Sequence, residues 1–465
     1  MKRWIAAVAV IVLGIGLWLG LRKPPAGESH SLTFLFTCDV RGRLVPCGCF
    51  TGQLGGLTRI ATMVGKGSTP GSLKVDIGDA IEGTADYEVL EYRYLQQAFA
   101  QMGYAALNVG HREAALPAAQ LRELKTQSPV PMLSANLLDR STGQPLFATH
   151  RIVQQGPWRL ALVGVLDPRS GDELGDGLAI EKMETSLATL LPVLKSQVDF
   201  IVLLAFTDEP GLTALARQFY EVDVILGGKV AQPSPQLLRE NRSLLLATTN
   251  QSRALGALEV KLESGAKMVA VKGDIALVND QIPEDPGIRS LATAYRDEMR
   301  SAKLTLDDPA NLQGDMVPGV KASATYVGTA TCSSCHPSAT KVWSGTGHAQ
   351  AFSTLVQAEA DADPNCIGCH TVGFGTPSGY RREFKAAKLV DVGCESCHGP
   401  GSQHLAERSA GSDVLFHFRK LGRGDCQKCH HGEFSRPFDY DQFWPLVQHG
   451  KEPRGAPTSG PVNPR

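Results

Sequence analysis

Between Ser31 and about Val278 the chain alternates short apolar runs with stretches of helical period. The runs fall at residues 33–37, 73–77, 105–109, 160–166, 200–206, 222–226 and 244–247. Several hand over to an acidic residue or a glycine: Asp39, Asp79, Gly110, Asp167 and Gly227. Helical stretches lie between them at 54–65, 87–102, 117–125 and 185–196. Continuous apolar runs suit strands buried on both faces, and their alternation with helices suits crossover connections. The pattern therefore predicts an α/β domain with a buried, largely parallel sheet and with its sites at the strand ends. Residues 285–305 follow as an amphipathic helix. Residues 307–324, rich in Asp, Pro, Gly and Ser, make a linker, and the polar, proline-bearing tail 451–465 is expected to be disordered.

The N-terminus opens with Met1-Lys2-Arg3, then eighteen mostly apolar residues (4–21), then Arg22-Lys23-Pro24-Pro25. That length suits a short membrane-spanning helix or a long signal-peptide core. No clear small-x-small cleavage site follows, which favours one uncleaved N-terminal transmembrane helix. Flanking charge is balanced across the run, so it does not set the orientation.

From Cys332 to His430 one pentapeptide recurs four times. The copies are Cys332-Ser-Ser-Cys335-His336, Cys366-Ile-Gly-Cys369-His370, Cys394-Glu-Ser-Cys397-His398 and Cys426-Gln-Lys-Cys429-His430. Two cysteines at this spacing can add to the two vinyl groups of one haem, and the next histidine is placed to ligate its iron. Zinc ribbons or redox-active cysteine pairs would explain the cysteines but not the histidines. The chain has 12 histidines in 465 residues. Chance would place one after all four pairs roughly once in a million or less. The motifs predict four covalent haem c groups.

Composition then narrows the partners. Lys and Arg total 46 against 47 for Asp and Glu, so no net field favours nucleic acid. Haem propionates would add negative charge to the C-terminal part, which suits a basic redox partner protein. Eight of the eleven cysteines are taken by haem, leaving Cys38, Cys47 and Cys49. Bacteria attach haem c outside the cytoplasm, so the body is expected in the periplasm, tethered to the inner membrane by the leading helix.

Residues 31–280 resemble the 5′-nucleotidase branch of the metallophosphoesterases. The resemblance rests on Thr37-Cys38-Asp39-Val40-Arg41-Gly42-Arg43-Leu44, Gly55-Gly56-Leu57-Thr58-Arg59 and Val75-Asp76-Ile77-Gly78-Asp79-Ala80. Asn108-Val109-Gly110-His111-Arg112-Glu113 and the glycine pair Gly227-Gly228 continue it. It implies an α/β sandwich with a two-metal site in the loops at the strand ends. The ligands depart from that pattern: Arg41 and Arg112 stand at histidine places, Ala205-Phe206 replaces another, and Lys229 opens the segment where Gly-His-x-His belongs. Two dications need a bridging carboxylate and several neutral imidazoles, whereas three fixed cations would repel them. A metal-less scaffold or docking module is expected, with no catalytic residue, and a phosphoesterase is the minor alternative. A disulfide from Cys38 to Cys47 or Cys49 is one reading of the spare cysteines, and a metal or sulfur site built from all three is the other.

Residues 326–450 resemble the tetrahaem cytochromes of the cytochrome c-554 type. The resemblance is carried by Tyr326 through Cys332, Trp343 with Gly347-His348-Ala349, and Gly393 through His404. It implies electron transfer between haems stacked in close pairs. The segment has no methionine, so the second axial ligands are histidines or absent. His348 and His404 match the family's distal histidines, and His449, after Phe443-Trp444-Pro445, is the third candidate. His417 suits core and ligand roles equally, and His431, next to a proximal histidine, is expected at the surface. Three distal candidates for four irons leave the fourth either five-coordinate, which the resemblance allows, or open to His417. With porphyrins forming most of the core, this domain should be a few helices and much irregular chain.

The expected order is an anchor and tether (1–30), the nucleotidase-like domain (31–284), a helix and linker (285–325), the tetrahaem domain (326–450) and the tail (451–465). The expected function is electron transfer. A haem enzyme acting on a small nitrogen or sulfur compound at an open iron is the alternative.

Overall fold

The computed structural model describes residues 29–46, 54–168, 174–249, 251–263, 265, 267–312, 321, 323–383, 387–411, 420–431 and 438–450. The apolar tract 4–21, Cys47, Cys49, His417 and the tail lie outside them. In its described parts the chain divides into two compact units. One comprises 29–46, 54–84 and 91–291, and the other 85–90 and 292–450.

The first unit is built from β1 (Ser29–Thr37), β2 (Leu73–Asp76), β3 (Ala106–Asn108), β4 (Met132–Leu133), β5 (Leu137–Asp139), β6 (His150–Gln155) and β7 (Trp158–Leu166). It continues with β8 (Leu178–Ile180), β9 (Phe200–Phe206), β10 (Val224–Gly228), β11 (Leu238–Glu240), β12 (Ser243–Ala247), β13 (Ala254–Glu263) and β14 (Lys267–Leu277). One sheet runs β14-β13-β1-β2-β3-β4 and the second β11-β12-β10-β9-β7-β6, with β5 and β8 as a separate pair. All seven apolar runs of the sequence become strands, and all lie in parallel stretches: β1, β2 and β3 in one sheet, β7, β9, β10 and β12 in the other. The two sheets are those of the expected α/β sandwich, each with the parallel core that the periodicity predicts. The antiparallel additions are β13 and β14 on the first and β6 and β11 on the second. They were missed because one side faces water: β13 alternates buried and exposed positions, and β14 is mostly exposed.

The helices pack by an equally simple rule. In Met183–Lys195 the residues Met183, Leu187, Leu191 and Leu194 make one stripe, buried in a cluster with Val163, Ile201, Leu203 and Ile225 of β7, β9 and β10. Helix Glu209–Gln218, unforeseen from the sequence, starts where the Asp208 carboxylate accepts the Gly211 N–H at 3.0 Å. The expected helix at 285–305 spans Pro286–Ser301 and buries Ile288, Ala292, Tyr295 and Met299 along one side.

The second unit is short helices joined by irregular chain, as expected. Among the described residues these include Thr329–Ser333, Pro337–Ser344, Ala351–Gln357, Pro364–His370, Cys394–His398, Ser402–Ser409, Arg423–Cys426 and Tyr440–Val447. A small apolar cluster of Tyr326, Leu355, Ile367, Val372, Tyr380 and Leu389 accompanies Ala360. Among the described residues no helix is long and apolar enough to cross a membrane.

Asn108 joins the two sheets of the first unit. Its amide on β3 donates to the Ile77 carbonyl after β2 at 2.9 Å and to the Val165 carbonyl of β7 at 3.0 Å, in a fully buried place. Asn108→Ala strands both carbonyls. We expect a loss of about 2–4 kcal/mol from unpaired buried acceptors, read as a lower urea midpoint; an unchanged midpoint would show that the sheets do not depend on this link.

Candidate haem-ligand site and the strand-end loops

In the first unit the loops at the parallel strand ends hold non-glycine residues with left-handed backbone. Asp39, Arg41, Asp79 and Lys229 have φ of 57°, 48°, 56° and 59°. Such outliers cost energy and gather where a fold once served, or still serves, a site. The cations foreseen at the histidine places sit beside the carboxylates. Arg41 Nε is 2.5 Å from Asp39 Oδ1, whose other oxygen accepts the Thr249 hydroxyl at 3.3 Å. Asp79 Oδ1 accepts the backbone N–H of Arg112 at 2.9 Å, and Arg112 Nε lies 3.8 Å from Asp79 Oδ2. Lys229 Nζ lies 2.8 Å from His111 Nδ1, while His111 Nε2 meets the Asp167 carbonyl. A neutral imidazole donating from Nε2 and accepting the ammonium at Nδ1 satisfies both contacts.

Behind these loops Glu113 is fully buried and accepts the N–H groups of Asp79, Ala80, Ile81 and Gly110 at 2.7–3.2 Å. Asp76 accepts the Thr37 hydroxyl at 2.7 Å and the Gly78 N–H at 3.0 Å. Burial pushes the carboxyls of Asp76, Asp79 and Glu113 upward, and the Glu113 charge adds to the first two. Among the described residues no group of three or more His, Cys, Asp and Glu is placed to hold a metal ion. Cys38 is a buried free thiol that donates to the Gly78 carbonyl at 3.6 Å, and Cys47 and Cys49, the other members of the expected disulfide or three-cysteine site, lie outside the described residues.

In the second unit each haem motif is wound into a single turn of helix or tight turn. Pro364–His370 carries the second, started by Asp363 accepting the Asn365 N–H at 2.9 Å, and Cys394–His398 is the third. In the first and fourth, the histidine N–H donates to the carbonyl of the leading cysteine, His336 to Cys332 at 3.0 Å and His430 to Cys426 at 2.8 Å. Residues three and four apart share one face of a helical turn, which puts both sulfurs and the imidazole on one side.

The distal candidates come back to these motifs in a crossed order that their positions in the chain did not disclose. Ring centres are 6.3 Å apart for His336 and His404, 6.0 Å for His430 and His348, and 6.0 Å for His398 and His449. Burial holds His348 and His398 below the usual imidazole range; nearby His370 lowers His348 further, and His449 and His336 lower His398. Neutral imidazole is the ligating form. His370 has no ring partner among the described residues, and its Nδ1 lies 2.6 Å from the Ala351 carbonyl. His431 is exposed. The thiols of Cys332 and Cys394 adjoin, as do those of Cys369 and Cys429, so first and third motifs lie together, and second and fourth. The partner thiol pulls Cys394 down to about 6 and Cys369 to about 7.

Two supports escaped sequence reasoning. The carbonyl of Ala351 carries no side-chain signal at all. Asp391, left-handed at φ 67°, accepts the Phe352 N–H at 2.9 Å, while the Val392 N–H donates to the His348 carbonyl at 3.2 Å. A lone aspartate in a loop gives no notice of that task.

Residues 331–399 match the family model described as cytochrome c554 and c-prime. Cytochrome c-554 of Nitrosomonas europaea is 36% identical over 123 residues, which is 23% of this chain and 52% of that protein. The 5′-nucleotidase of Bos taurus is 25% identical over 325 residues, 62% of this chain and 56% of that one. The chain thus spans about half the length of the curated relatives it matches. Among solved structures, the 5′-nucleotidase precursor of Thermus thermophilus has a TM-score of 0.52 at 22% identity, covering 58% of this chain and 59% of that one. The calcineurin-like phosphoesterase YfkN of Bacillus subtilis has 0.50 at 16% identity, covering 58% and 98%. The chain carries a cytochrome c554 family region at 331–399 behind an N-terminal 5′-nucleotidase-like domain.

Asp76 offers a pH test. A carboxyl raised on folding binds protons more readily in the folded state, so its stabilising contribution is full below the unfolded value and is lost as pH rises through the folded one. Asp76→Asn should raise the urea midpoint at alkaline pH and flatten its fall as pH rises above the ordinary carboxylate range. A variant with the same pH profile as the parent would contradict the burial effect.

Proposed function

We propose that this chain is an exported, membrane-tethered tetrahaem electron carrier, with its nucleotidase-like domain serving as a metal-less scaffold or docking module. The observation that carries the reading is the spacing of the three histidine ring pairs. Two imidazoles ligating one metal from opposite sides, at metal–nitrogen bonds of about 2 Å, have ring centres about 6 Å apart. The measured 6.0–6.3 Å fits that span three times. Cys332 and Cys335, Cys366 and Cys369, Cys394 and Cys397, and Cys426 and Cys429 would hold the four porphyrins. His336 with His404, His398 with His449, and His430 with His348 would be the axial pairs, and His370 has no second ring among the described residues, His417 lying outside them.

Bound haem supplies one-electron chemistry, and histidine ligation without methionine keeps its potential low. The protein's part is to hold the rings, to bury them as neutral ligands and to bring the motifs together in twos. The adjoining thiols support haems close-packed as a first–third and a second–fourth pair. In the first unit, the salt bridge of Arg41 with Asp39 and the approach of Arg112 to Asp79 support lost metal binding rather than hydrolysis. The apolar tract 4–21 would anchor the chain in a bacterial inner membrane with its body in the periplasm, facing a basic redox partner.

His370 favours a second reading. A haem with one protein ligand can take a small nitrogen or sulfur compound at its other face, making the second motif a reactive centre and the other three its supply of electrons.

Electron paramagnetic resonance of the oxidised protein should give three low-spin components and one high-spin component, with carbon monoxide binding one haem of the reduced form. Four low-spin components would remove the open iron and the second reading with it. The scaffold assignment predicts no hydrolysis of nucleotides or phosphodiesters with manganese, zinc or cobalt; metal-dependent turnover would contradict it.

A further inference from the structure

Glu395 stands inside the third motif, between Cys394 and Cys397, and is only 4% exposed. A carboxylate so deep needs partners, because an unpaired buried charge is costly. Its partners are backbone N–H groups from two other segments. Oε1 accepts from Gly401 at 2.7 Å and Val327 at 2.9 Å; Oε2 accepts from Gly328 at 2.7 Å and again from Val327 at 3.1 Å.

The identity of those donors matters. Gly328 immediately precedes helix Thr329–Ser333, which leads through Cys332 to His336. Gly401 immediately precedes helix Ser402–Ser409, which carries His404. Neither glycine has a side chain to cap its helix, and Glu395 takes up the N–H groups instead. Gly328, at φ 90°, is also pressed against the Lys388 carbonyl, where an added Cβ would come within 2.8 Å, so the segment has little room to shift. His336 and His404 are the ring pair 6.3 Å apart. One buried side chain of the third motif therefore holds the starts of both segments that deliver this pair. The N–H of Cys394 donates to the Thr329 hydroxyl at 3.3 Å and tightens the same junction.

We propose that Glu395 is the positioning residue of the first motif's haem, setting His336 and His404 in register across its two faces. This rests on the axial assignment above. Loss of the carboxylate would let the helix carrying His404 drift from the one leading to His336, and the haem would lose its distal ring while its thioether links stayed intact. The buried charge would also sit beside the adjoining first and third motifs, favouring ferric iron there.

The test is Glu395→Gln in the full haem-loaded chain, with His404→Ala as the reference that removes the distal ring directly. Glutamine keeps the size but turns an NH2 group, two donors, towards backbone donors. Glu395→Gln should retain its full haem content, lose one low-spin resonance, and gain a second haem that binds carbon monoxide. The resonance lost should be the one missing from His404→Ala, and the midpoint of that same haem should move upward. A Glu395→Gln protein with every low-spin resonance in place overturns the proposal, and so does one that loses a resonance His404→Ala retains. If the glutamine variant does not accumulate, Glu395→Asp carries the test: it keeps the charge, draws the carboxylate back from the amides, and should lose the same resonance with a smaller potential shift. An aspartate variant with the parent spectrum overturns the proposal equally. Should His404→Ala itself keep all the parent resonances, the axial assignment fails and this inference with it; should only Glu395→Gln do so, the role of Glu395 alone fails.

Discussion

A pair of imidazole rings held about one ligand–metal–ligand span apart is the constraint on which the C-terminal unit depends. Each of the three pairs joins a motif histidine to a ring from a distant part of the chain. The helices between are short, and several, such as Thr329–Ser333, Pro337–Ser344 and Ser402–Ser409, bury none of their own residues. Apolar packing of side chains alone is thin here, limited to the cluster around Tyr326, Ile367 and Tyr380. Order comes instead from polar links of long reach. Glu395 ties three segments, Asp391 and Val392 bracket the stretch containing His348, and the Trp343 indole donates to the Val392 carbonyl at 2.8 Å.

The first unit shows the opposite use of charge. Its strand-end loops retain the geometry of a site, including left-handed Asp39 and Asp79, but Arg41 and Arg112 now lie beside those carboxylates. A guanidinium neutralises a carboxylate directly, so each of these pairs balances charge within the loops. Glu113 completes the arrangement by collecting four backbone N–H groups where a helix begins.

Much of this is legible in the sequence. The seven apolar runs marked the parallel strands because strands covered on both faces have no polar side to blur the signal. Strand β13 and the edge strand β14 are not marked by such a run, since β13 alternates buried and exposed positions and β14 is mostly exposed. The haem motifs were legible because cysteine and histidine at fixed spacing carry chemistry that few other roles require. His348, His404 and His449 were found as candidates, yet the crossed pairing of His348 with His430 depends on how irregular chain folds back, and no local pattern encodes it. Glu395 and Asp391 were invisible for a related reason: each serves backbone groups, and a backbone amide has no residue identity to read.

The central claim is that covalently bound porphyrin iron at four places organises the C-terminal unit. Its most direct measurement is a pyridine haemochrome assay joined to an intact mass on protein exported by a host that matures c-type cytochromes. The account predicts four haems per polypeptide, with the eight motif cysteines closed to alkylation. Bound zinc, reactive cysteines in the motifs, or fewer than four haems would contradict it.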